Sequence, residues 1–184
     1  MWNLEIYAGF YYQILTILSK IIYVLGEIVF RKLRKKEISL DAINNLLNNS
    51  KRAVLALNGD DGYPYAIPIN YYYDENNQKI YFHGSSQGHK GDSLKRSDKV
   101  CLTIYGSDTY KDESWAPYVE SVVIFGRCHM IETTPASLAI FKKLVMKFFP
   151  SKEMATEVIK KAQNNIQLYE IDIEHLSGKV IQEK

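Results

Sequence analysis

The stretch Lys79–Leu94, KIYFHGSSQGHKGDSL, decides how the chain is read: an apolar, strand-like run ends at Gly84 and gives way to a helix-like one carrying His89 and Lys90. A strand that turns into a helix through small residues leaves unpaired backbone N–H groups at the helix start, where the helix dipole also favours negative charge. Gly84, Ser85, Ser86 and Gly88 let a ligand approach that backbone, and Lys90 puts a cation in the first turn. The layout predicts an anion site that would suit a phosphate. It is not a Walker A loop, because the glycine spacing differs and no Ser or Thr follows the lysine, so a nucleoside triphosphate is not expected. On these residues alone, a solvated helix start with a surface lysine accounts for the segment equally well.

Working outward, Ala53–Asn58 and Tyr63–Tyr73 read as strands joined by GDDG at 59–62, a strong hairpin signal. Asp74–Asn77 is a second turn, Lys79–His83 a third strand, Gly88–Arg96 a helix and Val100–Tyr105 a fourth strand. A polar loop from Gly106 to Pro117 leads to one long strand, Tyr118–Ile131. Upstream, Ser39 caps a short helix bearing Leu40, Ile43, Leu46 and Leu47, which Asn48-Asn49-Ser50 ends. Downstream, an amphipathic helix over Thr134–Phe149 is broken by Pro150, and Ser151 caps another to about Gln163. The alternation in NIQLYEIDIEH marks a final strand. Short strands, hairpin turns and marginal helices describe a mainly β, α+β domain built as a small antiparallel barrel rather than a doubly wound sheet. No GxGxxG follows the first strand, which disfavours a Rossmann dinucleotide site.

With 184 residues, one main domain over 31–184 and an N-terminal extension over 1–30 are expected. A formal net charge of +2 with scattered charges implies no broad basic face, so no nucleic-acid partner is expected. Cys101 and Cys128 lie in apolar strands, which suits buried thiols in the cytoplasm. In YYYDENN at 71–77, Tyr71 and Tyr73 face one way and Tyr72 the other, and one side is expected to line an interface or pocket. Ile6–Phe30 is largely apolar and runs into RKLRKK at 31–36. As a membrane anchor it is about long enough, but Lys20 near mid-span would cost roughly 2.5–3.5 kcal/mol. A secretory signal has its charges on the other side. An interfacial or packed helix, or a true start near Val29, fits better than a span, with peripheral membrane contact through residues 1–36 as the corresponding expectation.

PYAIPINYYY at 64–73, IYFHGSSQGHKGDSLKR at 80–96, VCLTIYG at 100–106, YVESVVIFGRCHMIE at 118–132 and LYEIDIEHLSGK at 168–179 stand in a telling order. Together they resemble the flavin-binding split-barrel proteins related to pyridoxamine 5′-phosphate oxidase, and most closely the branch that includes the nitroimidazole-resistance proteins. The resemblance covers about Phe30 to Lys179. It implies an FMN-dependent oxidoreductase, a homodimer with FMN at the subunit interface, and small-molecule electron donors and acceptors; a cofactor-binding protein without turnover is the alternative. By the same resemblance the flavin ring lies along Ala66, Ile67, Pro68, Ile69 and Asn70, and the phosphate meets Gly84, Ser85, His89 and Lys90. His83 is implied near flavin and substrate as a proton donor, while a lone histidine is more often a structural hydrogen-bonder. By the resemblance Glu120 and Ser121 match a segment that approaches the cofactor, while Glu120 reads equally well as a solvent-facing strand residue. The substrate-phosphate arginines of pyridoxamine phosphate oxidase have no match, which favours a nitro-compound or quinone-like acceptor over vitamin B6. Cys128 and His129 point to opposite faces of a strand, and no metal site is expected.

Overall fold

A computed structural model describes residues 36–110, 116–149, 151–162 and 166–182. The chain divides into two units, 1–34 and 35–184. The N-terminal segment, with its anchor, packed-helix and alternative-start readings, lies outside the described residues. No described helix is long and apolar enough to cross a membrane.

In chain order the elements are α1 (Leu40–Asn49), β1 (Arg52–Asn58), β2 (Pro64–Asp74), β3 (Lys79–Gly84), α2 (His89–Arg96), β4 (Lys99–Tyr105), β5 (Tyr118–Ile131), α3 (Pro135–Met146), α4 (Lys152–Ala162) and β6 (Gln167–Gln182). The strands close a barrel in the order β1-β2-β3-β6-β5-β4, every pair antiparallel. This is the split-barrel fold expected from the sequence. At the GDDG turn the Gly59 N–H donates to the Tyr63 carbonyl, which sets β1 against β2 from Asn58↔Pro64 to Arg52↔Asn70.

Alternation fills the interior. Leu55, Tyr71, Ile80, Phe82, Leu102, Ile104, Ile124, Tyr169 and Ile171 are all fully buried there. Each such side chain stabilises the fold by about 1.5–3 kcal/mol. α1, capped by Ser39 as expected, lays Ile43, Leu46 and Leu47 on one end of this core, and the Tyr71 hydroxyl donates to the Leu47 carbonyl at 2.8 Å. α3 and α4 pack outside the barrel over Tyr81 and Leu168, burying Phe141, Leu144 and Val145.

Two expectations need correction. Tyr71 and Tyr73 are core residues and Tyr72 packs in the helical cluster, so both sides of the tyrosine run pack against this chain's own apolar clusters. The final strand also runs seven residues beyond His175, to Gln182. Ser177 and Gly178 interrupt the apolar alternation, but Ile38 and Ile43 press on Gly178 so closely that a Cβ there would lie 2.6–2.9 Å from their carbons.

Candidate functional site

The barrel is closed by pairing yet open along one stretch of edge. β2 pairs with β1 through Pro64–Asn70 but with β3 only through Tyr71–Asp74, because β3 leaves the sheet at Gly84 and turns into α2. Among the described residues no strand covers the second edge of Pro64–Asn70. Alternate residues of an antiparallel strand direct their backbone groups to either side, so this stretch presents unpaired N–H and C=O groups outward. Pro68 stands here, where a missing donor breaks no ladder. Beside the edge lies a cleft of about 340 Å³ lined by Arg52, Ile67, Pro68, Ile69, Asn70, His83 and Lys90.

The turn after β3 leads into α2, whose Lys90 lines the cleft. Gly88 sits at φ 92° and ψ −179°, a conformation only glycine adopts readily, and its backbone starts α2 with no side-chain cap. The Gln87 N–H is taken by the Ser85 hydroxyl and the Asp92 N–H by the Gly88 carbonyl. The N–H groups of Ser86, His89, Lys90 and Gly91 meet no acceptor among the described residues.

Lys90 is half-buried beneath Gly84, with Nζ 4.5 Å from the ring centroid of Tyr169 and 5.3 Å from that of Phe82. These two rings stack at 4.8 Å, nearly parallel. Among the described residues no carboxylate or other oxygen meets the ammonium. Desolvation lowers the Lys90 pKa below the ordinary lysine value. Nearby Cys128 is buried, and desolvation pushes its thiol up to about 12 against the opposing charge of Lys90. Neither cysteine is bonded to another. His83 keeps an exposed ring edge at the cleft and packs edge-on against Phe141, with centroids 5.6 Å apart. Desolvation, and then the charge of Lys90, lower its pKa, so it is neutral at neutral pH.

Half of the expected site residues converge. Ile67, Pro68, Ile69, Asn70, His83 and Lys90 share the cleft, Ala66 continues the open edge, and Gly84 and Ser85 follow His83 in the chain without lining the cleft. His89 is engaged elsewhere: its ring stacks on Tyr65 at 4.1 Å and its Nε2 lies 3.3 Å from Asp60, which also pairs with Arg96. Glu120 and Ser121 are not cleft residues. The Glu120 carbonyl accepts from the Gly106 N–H, and the buried Ser121 hydroxyl donates to the Lys179 carbonyl. Arg52, which the sequence reading did not single out, is a second cation at the cleft. Counting back from the hairpin turn would have placed it opposite Asn70.

Solved structures share this architecture. A proposed 5-nitroimidazole antibiotic resistance protein from Bacteroides thetaiotaomicron superposes with a TM-score of 0.65 at 19% identity, over 78% of this chain and 85% of that one. A conserved hypothetical protein from Mycobacterium tuberculosis gives 0.67 at 19%, over 81% and 89%. A FAD and heme binding protein from Mycobacterium smegmatis gives 0.63 at 20%, over 80% and 73%. At such identities the likeness shows the fold. The chain matches no curated protein. The family model described as pyridoxamine 5′-phosphate oxidase matches residues 39–180, from the cap of α1 to the last turn of the barrel seam, and the chain therefore belongs to that family.

Proposed function

We propose that this protein holds FMN in the cleft beside Ala66–Asn70 and works as an oxidoreductase, passing electrons from a reduced donor to a small nitro-compound or quinone-like acceptor. The observation that carries the reading is the half-buried Lys90 ammonium at the cleft, which has no anionic partner among the described residues, together with four unmet backbone N–H groups in the turn and the first turn of α2. That donor set fits a phosphate. The open β2 edge fits the rim of a planar ring, whose polar atoms would meet the outward N–H and C=O groups of Ala66–Asn70 while Ile67 and Pro68 take its apolar surface. Bound there, the flavin would supply reversible hydride and electron transfer. Lys90 and the α2 start would hold the phosphate, the β2 edge would orient the ring, and neutral His83 would keep a proton on one ring nitrogen at the mouth.

A homodimer belongs to this proposal. Val54, Ala56, Ala66, Pro68, Cys101 and Val123 make an outward apolar strip across β2, β1, β4 and β5, adjoining the open edge. A second copy on that strip would cover the ring and exclude water.

A second reading is haem held without turnover. The exposed imidazole of His83 at the cleft and the fold shared with a FAD and heme binding protein favour it. The visible spectrum of freshly purified protein, with mass spectrometry of what heat releases, separates the two. A flavin spectrum with FMN released is expected. A haem spectrum would move the second reading ahead, and a colourless protein that takes up no added FMN would overturn the first.

A further inference from the structure

We infer that Tyr169 is a positioning residue for the phosphate end of the cleft: from β6, its hydroxyl and its ring set both the backbone and the side-chain donors of the anion site. The inference rests on the flavin reading for its ligand and on two separate contacts for its geometry. The Tyr169 hydroxyl donates to the Ser85 carbonyl at 2.7 Å, across the junction between β6 and the turn. A trans peptide points its C=O and N–H in opposite directions. Anchoring the Ser85 carbonyl on the barrel side therefore turns the Ser86 N–H away from the barrel, and that N–H meets no acceptor among the described residues. The same tyrosine's ring lies 4.5 Å beneath the Lys90 ammonium and stacks on Phe82, so it fixes where the lysine can rest without neutralising it.

Tyr169 touches Lys90 and the Ser85 carbonyl and does not line the cleft itself. Its effect should therefore be confined to ligands that carry an anion. A purely structural tyrosine would weaken every ligand of the cleft alike.

The test compares FMN with riboflavin, which has the same ring and no phosphate, by fluorescence titration of the full chain as wild type and Tyr169→Phe. The phenylalanine keeps the stack and removes only the hydroxyl. FMN affinity is expected to fall about tenfold, as for the loss of one well-placed hydrogen bond, with riboflavin affinity unchanged. Equal losses for both ligands, or no loss for FMN, would overturn the inference. Should the variant not fold, the wild-type amide resonance of Ser86 decides: a shift with FMN but not with riboflavin supports the role, and no shift with FMN overturns it. Should the wild type take up no flavin, the cofactor reading falls and inorganic phosphate becomes the probe. A Ser86 amide that moves with phosphate in the wild type and not in Tyr169→Phe still supports the positioning role, and one that ignores phosphate in the wild type removes it.

Discussion

The two sides of the barrel treat their polar groups differently. Along the β5–β6 seam the ladder runs from Tyr118↔Gln182 to Ile131↔Leu168 with one irregularity at Phe125/Gly126, where Glu174 is the extra residue. Two cations on this side are matched: Arg127 of β5 meets Asp98 and Glu174, and Lys79 of β3 meets Glu170 and Asp172 of β6. On the open side, the β2 edge, four backbone N–H groups and the Lys90 ammonium have no such partners among the described residues. Among the described residues no buried side-chain polar atom lacks a partner, so the unpaired Lys90 ammonium is one that solvent or a ligand can reach.

Substitutions that separate stability from binding break or sharpen this contrast. The largest effect is expected on the seam. A Cβ at Gly126 would sit 2.3 Å from the Asp172 carbonyl oxygen, on backbone that cannot move aside without breaking the ladder. Gly126→Ala should cost about 3 kcal/mol and lower the melting temperature by about 10 °C, leaving flavin affinity per folded molecule unchanged. Calorimetry with a flavin titration of the surviving protein checks both halves.

Lys90→Met should do the reverse. Removing a charge-assisted contact is expected to weaken FMN by about 2 kcal/mol, some thirtyfold, without lowering the melting temperature of the flavin-free protein. Full FMN stoichiometry in the variant at low micromolar protein would place the phosphate somewhere else.

The smallest effect concerns Lys147, the counterpart of Lys90 away from the cleft. It too is half-buried on a tyrosine, 4.2 Å from the Tyr71 centroid, but it has an acceptor in the Leu47 carbonyl at 3.4 Å. Desolvation lowers its pKa to about 8. The unfolded chain keeps that proton to about pH 10.4, so between pH 8 and 10 the unfolded state binds more protons and stability rises with pH. Relative to Lys147→Met, the wild type should gain about 1 kcal/mol over that interval, roughly half of the full linkage of about 2 kcal/mol because the ammonium stays partly exposed to solvent, read from urea midpoints. A parallel pair of pH profiles would show that burial does not perturb Lys147.

How much of this could be read in advance depended on whether the cause was local. β5 was legible over its whole length because a polar loop precedes one extended, largely apolar run, and α1 because Ser39 and the spacing of Ile43, Leu46 and Leu47 are neighbours in sequence. The strand-to-helix turn after β3 was legible because glycines, serines and lysine stand together. What failed depended on partners far along the chain. Nothing near Gly178 announces that Ile38 and Ile43 will cover it, and nothing around His89 says that Asp60 will draw it aside. Tyr169 was legible as a strand residue, while its reach to Ser85 exists only once β6 has paired with β3.

The uncovered stretch of β2 has a consequence for the chain before any ligand arrives. A bare row of strand donors and acceptors invites a strand from another molecule, and such additions seed aggregates. Pro64 and Pro68 stand in that row, each without an N–H, and neither can take part in a continuous ladder with an incoming chain. The edge can therefore stay bare in a newly made protein without drawing a strand from a neighbouring molecule into its sheet.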